Sequence, residues 1–155
     1  MADPFWLANS CQYYNTKNRP VYGHTKQVKM NAKKMNNVLA LPASKRYSHF
    51  IKVAADQRKV WGLFSDGWAL AETNDGQRAF AMWPAREYAE LCARGSWSGY
   101  EVREIDLDTL IEVLIPRLRD SNTLAGIFPT PNEQGITPDL DQLTADLRNE
   151  LAKIE

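Results

Sequence analysis

From Trp61 to Tyr100 the chain reads WGLFSDGWAL AETNDGQRAF AMWPAREYAE LCARGSWSGY. Four of the five tryptophans lie here, and Trp61, Trp68 and Trp83 each stand beside Gly or Pro. Large aromatics next to residues that dictate backbone geometry mark one specified α/β unit. Val60–Phe64 reads as a short strand, Ser65-Asp66-Gly67 as a tight turn and Gly67–Thr73 as a second strand. Asn74-Asp75-Gly76 supplies residues that tolerate positive φ, as a hairpin turn requires. Gln77–Trp83 is then a third strand, so residues 59–83 predict an antiparallel meander. Pro84 opens a helix that Gly95 ends. Ala85, Tyr88, Ala89 and Cys92 share one face of it, and Glu90 stands four residues from both Arg86 and Arg94 on another.

Working outward, Pro42 suits the start of an earlier helix. Tyr47, Phe50, Ile51 and Ala54 follow at i, i+3, i+4 and i+7, a stripe ending near Gln57. Downstream, Tyr100–Ile105 reads as a strand and Asp106 as the N-cap of a helix with Leu107, Leu110, Ile111, Leu114 and Leu118 on one stripe. Pro116 inside that helix predicts a kink or an early end. Thr123–Phe128 is a fifth strand, and Pro129 to Gly135 a loop. Thr137-Pro138 caps a last helix carrying Leu140, Leu143, Leu147, Leu151 and Ile154. The order α-β-β-β-α-β-α-β-α predicts an α+β fold: an antiparallel β-meander extended by two further strands, with helices packed on the sheet.

Length predicts a single domain at 41–155. Residues 1–40 are rich in Asn and Lys and show no sustained period. They read either as a flexible arm or as a non-native extension upstream of a true start at Met30 or Met35. Net charge is zero but unevenly spread. Residues 1–42 carry six Lys/Arg against one Asp, and residues 105–155 carry four against ten Asp/Glu. Cys11 and Cys92 are too few for a disulfide framework and form no paired metal-ligand spacing. No signal peptide is visible, and no apolar run approaches the ~20 residues that cross a bilayer. The expectation is a cytoplasmic protein away from membranes.

Catalytic signatures fail one by one. In Gly95-Ser96-Trp97-Ser98-Gly99 a tryptophan occupies the place of the serine nucleophile, and the segment follows a helix where the elbow needs a strand. His24 and His49 have no implied nucleophile beside them. Cys92 sits on an apolar helix face, as a buried thiol does. Asp66-Gly67 and Asp75-Gly76 are explained by turn chemistry. Neither G-x-G-x-x-G nor the P-loop pattern occurs. No catalytic residue, metal site or cofactor is expected.

WGLFSDGWA, MWPAREYAELC, WSGY, EIDLD and IFPTP, in that order, resemble a bacterial family known only as domain of unknown function 2750. The resemblance covers about residues 44–155. It implies a small protein without an assigned activity. More loosely, the succession of hairpin, Trp-Pro helix, strand, helix, Ile-Phe-Pro strand and final helix is similar to the amino-terminal domain of the enhanced serine sensitivity protein B, a likeness of fold that carries no function.

Arg86, Arg94, Trp97 and Tyr100, with Trp83 beside them, combine charge, stacking and area in the mix found at interface anchors. The leading expectation is a non-enzymatic protein-binding module, of adaptor or immunity type, whose acidic C-terminal third suits a basic partner. The alternative is a small-molecule-binding or enzymatic domain with a pocket near Trp83, Arg86, Trp97 and Tyr100. A large apolar pocket with converging polar groups would favour the alternative. A nucleic-acid role, resting only on Lys26, Lys29, Lys33 and Lys34, is not expected.

Overall fold

The computed structural model describes residues 31–155. Expectations at Cys11, His24, Lys26 and Lys29, and for the arm before residue 31, lie outside the described residues. From residue 42 onward the elements follow the expected order, and the fold is α+β.

One helix precedes them. α1 (Ala32–Leu39) is capped by Asn31, whose side-chain oxygen accepts from the Lys33 and Lys34 backbone N–H groups at 2.8 and 3.4 Å. Its Val38 is buried, and Met35 and Leu39 pack against the core. Residues 31–40 thus pack with the domain, where the sequence predicted no packed element before residue 41. Met35, Val38 and Leu39 make a stripe only one turn long, too short to register as a period.

α2 (Ala43–Gln57) buries Phe50, Ile51, Ala54 and Ala55, and ends at Arg58 in the left-handed conformation. Its Tyr47 hydroxyl donates to Asp146 at 2.6 Å, tying α2 to α5 (Leu140–Ile154). Asp139, rather than Thr137-Pro138, caps α5, accepting from the backbone N–H groups of Asp141 and Gln142. Leu143, Leu147 and Leu151 are buried, while Ile154 is exposed.

The strands are β1 (Lys59–Phe64), β2 (Leu70–Glu72), β3 (Arg78–Met82), β4 (Glu101–Asp106) and β5 (Leu124–Ile127). They divide between two sheets. β1 pairs antiparallel with β4; β3 lies between β2, antiparallel, and β5, parallel. The β1–β2 hairpin of the meander is reduced to a bridge between Phe64 and Trp68. The sheets join through Trp61 and Trp83, which exchange two backbone hydrogen bonds of 2.9 Å. The middle of β1 is wholly buried, so both its edges need partners. β4 serves one edge and these bridges the other.

α3 (Arg86–Cys92) follows β3, and a 3₁₀ turn at Gly95–Trp97 leads to β4. α4 runs as Leu107–Thr109, a π-turn at Leu110–Leu114 and a further α segment at Ile115–Asp120. Its expected stripe is buried throughout. Pro116 neither ends nor sharply breaks the helix. The Ile115 N–H reaches back five residues to Leu110 O, and this π-turn accommodates the proline ring and its missing N–H.

Candidate functional site

The five residues singled out by the sequence divide between the core and neighbouring recesses. Trp83 is wholly buried, and its indole N–H donates to the Pro129 carbonyl at 2.8 Å. It belongs to the core and is removed from the contact surface. Arg86 pairs with Glu90 at 3.1 Å. It lines a shallow polar groove together with Tyr100. Arg94 lies beyond the end of α3, makes no ion pair among the described residues, and faces a different cavity with Trp97. Trp97 is half-buried and meets Trp83 edge-to-face, ring centres 6.0 Å apart.

That cavity has a volume of about 540 Å³. Its floor is one face of the β2-β3-β5 sheet. Ala71, Ala79, Ala81 and Gly126 all line it, and the register places Ala71 beside Ala79 and Ala81 beside Gly126. Side chains alternate along a strand, so Phe80 and Met82 fill the core on the opposite face while the small residues leave room above. Leu91, Cys92 and Trp97 form one wall, and the segment from Pro129 to Thr137 forms the other.

The second wall is held at several points. The Pro129 carbonyl accepts from the Trp83 indole and, at 3.5 Å, from the Cys92 thiol. Thr130 and Glu133 exchange backbone hydrogen bonds. Glu133 pairs at 2.9 Å with Arg46, a buried arginine on α2 that also donates to the carbonyls of Leu41 (2.8 Å) and Phe128 (3.4 Å). Gln134 reaches across to Asn74 in the β2–β3 turn at 3.3 Å. Ile136 bridges back to Ile127 of β5. The wall starts at Phe128, a buried residue with φ +58°, a conformation that non-glycine residues rarely adopt.

The cavity is mainly apolar, with Arg94, Glu72 and the paired Glu133 around it. Burial pushes the Cys92 thiol from its ordinary 9.0 up to about 11, against smaller opposing pulls from the Trp83 indole and the Arg94 charge. A thiol in that state is no nucleophile at neutral pH. His49 is half-buried against Phe128; burial first, and the Lys34 charge second, lower its pKa. No group of three or more His, Cys, Asp or Glu among the described residues is placed to hold a metal ion. No described helix is long and apolar enough to cross a membrane. The arrangement can enclose an apolar body and offer it a few polar contacts at the rim.

Arg46, the small-residue floor and the Thr130–Gly135 wall were not marked in the sequence. Arg46 stood on the same stripe as Phe50 and Ala54, where a charge needs a buried partner, and that signal was available. The floor was written as alanines at alternate positions of A-F-A-M.

No curated protein matches the chain at a significant level. The expected family does match: its profile covers residues 47–147, which include both sheets, both cavity walls and the first half of α5. The chain therefore belongs to the family described as protein of unknown function (DUF2750).

Proposed function

We propose that this protein is a non-catalytic binding domain that takes a small, mainly apolar ligand between the β2-β3-β5 sheet and the Pro129–Thr137 wall. The observation that carries this reading is the cavity itself. Its volume of about 540 Å³ falls within the ~300–1,000 Å³ of small-molecule sites. A protein-contact surface was the first expectation and a pocket the second; the cavity supports the second. The division of the five candidates supports it further: Trp83 lies inside, and Arg86 and Arg94 face separate features. The protonated Cys92 thiol supports binding over bond-making chemistry.

The test uses 8-anilinonaphthalene-1-sulfonate, an apolar fluorescent probe bearing one anionic group, with the native protein. It should bind with a fluorescence rise and a higher Tm, the linkage expected of a ligand that prefers the folded state. Ala81→Leu fills the cavity from its floor and should abolish binding in a variant that circular dichroism shows to be folded. Arg94→Ala should weaken the probe several-fold through loss of a charge-assisted contact. A folded Ala81→Leu variant that binds as the parent does would sink the proposal.

A further inference from the structure

Beside Trp97 lies a second chamber of about 730 Å³, and the two share Ala71, Glu72 and Trp97 in their linings. Their linings differ in kind. The first is mainly apolar; the second is polar, and runs over β2 and β3 to the turn at Ser121–Thr123. Three side chains in it carry groups suited to a polar ligand, the exposed amides of Gln77 and Asn122 and the half-buried hydroxyl of Tyr100. Each of these groups both donates and accepts. The two charged residues of the chamber, Glu72 and Arg78, stand directly opposite each other in the register of β2 and β3, so the chamber has no net formal charge.

We infer, resting on the proposed function above, that the ligand is amphipathic. Its apolar body lies over the alanine floor, it bends across Trp97, and a neutral head bearing hydroxyl or amide groups fills the second chamber. Three reasons support a neutral head. Amides and a hydroxyl match groups that donate and accept at once, as sugars and carboxamides do. Glu72 and Arg78 together leave the chamber without net formal charge, so neither an anionic nor a cationic head gains a net attraction there. The half-buried Trp97 indole offers apolar surface to the ring or chain that passes between the chambers.

The test holds the tail constant and varies the head. Octyl β-glucoside, octyl sulfate and octyltrimethylammonium, each below its micelle concentration, compete against bound 8-anilinonaphthalene-1-sulfonate, with NMR shifts reporting which chamber responds. The glucoside should displace the probe at the lowest concentration and shift the side-chain amides of Gln77 and Asn122. The double variant Gln77→Ala with Asn122→Gly removes both amides, and glycine suits the positive φ of 58° at position 122. It should weaken the glucoside about tenfold while leaving the probe's affinity unchanged. Equal binding of the three heads, or a glucoside indifferent to the double variant, overturns this inference and leaves the binding function standing. Failure of the probe to bind the parent protein overturns both.

Discussion

Alanine at position 135 would set its methyl group against the carbonyl oxygen of Ile127, with the Ile127 carbonyl carbon at 2.8 Å and the Pro129 nitrogen at 3.0 Å. All three atoms are backbone, so no rotamer change relieves the clash. The requirement here is close approach rather than a left-handed φ. The wall must therefore move off β5. What it loses is the bridge in which Ile127 N–H donates to Ile136 O at 2.7 Å and Ile136 N–H donates to Ile127 O at 3.1 Å. At a net ~0.5–1.5 kcal/mol per bond, Gly135→Ala should cost about 1–3 kcal/mol. For a domain of this size that is a fall of roughly 3–12 °C in Tm, read by circular dichroism. The wall lines the cavity, so probe binding should weaken in a protein that remains folded. Gly76→Ala is the control. Its φ of +81° makes the substitution strained, yet the new Cβ meets nothing within 4 Å. It should cost about 1 kcal/mol and leave probe binding intact. A Gly135→Ala variant with the parent's Tm, and with unchanged amide exchange at Ile127 and Ile136, would refute the reasoning.

Trp83→Ala should destabilise by about 3–5 kcal/mol in urea titration, since the side chain is wholly buried. Trp83→Phe keeps most of the ring but strips the donor from the Pro129 carbonyl, for about 1–3 kcal/mol; a fully stable Trp83→Ala variant would return Trp83 to the surface. Iodoacetamide should modify Cys92 slowly in the native protein at pH 8 and readily after unfolding, because the thiolate is scarce and the thiol buried. The folded-state pKa of Cys92 is raised, so its contribution to stability is complete below about 9.0 and is lost as pH climbs from there towards about 11. Tm measured across that range should fall more steeply for the parent than for Cys92→Ala, and parallel curves would contradict the assignment.

The helices were legible because each carries its burial in a local period. Phe50, Ile51 and Ala54 on α2, and Leu107 to Leu118 on α4, are buried where their spacing placed them. Strand pairing was less legible, because it is decided by contacts remote in sequence. Nothing local in L-A-G-I says that β5 runs parallel beside β3, or that β1 takes β4 as its main partner. The cavity floor was hidden for a different reason. Alanine in a strand reads as a weak strand former, and only pairing of Ala71 with Ala79 and Ala81 with Gly126 turns separate small residues into a recess. Trp97 reads as an interface anchor, and its half-burial was not legible; it sits in the 3₁₀ turn that Gly95, at φ +59°, opens after α3. The four-residue spacing of Arg86 and Glu90 fixes a pair, not the groove that the pair faces.

The wall from Pro129 to Thr137 links these threads. Its first residue to depart from regular structure, Phe128, is held at positive φ immediately before a proline, a position that favours extended backbone. Such a residue costs on the order of 1–3 kcal/mol and persists only where its surroundings over-determine it. Here they do. Its ring stands 4.8 Å from that of Tyr88, its N–H donates to Met82 O at 2.9 Å, and its carbonyl accepts from Arg46. Beyond it, the Pro129 carbonyl takes two donors, Glu133 meets Arg46, and Gly135 lies tight against Ile127. A segment fixed at so many points would have little freedom left to lose to a ligand of the kind proposed, so the ordering cost that usually weakens loop-built sites would be small. The strain at Phe128 and the close fit at Gly135 have one structural consequence in common, a wall already in place over the alanine floor.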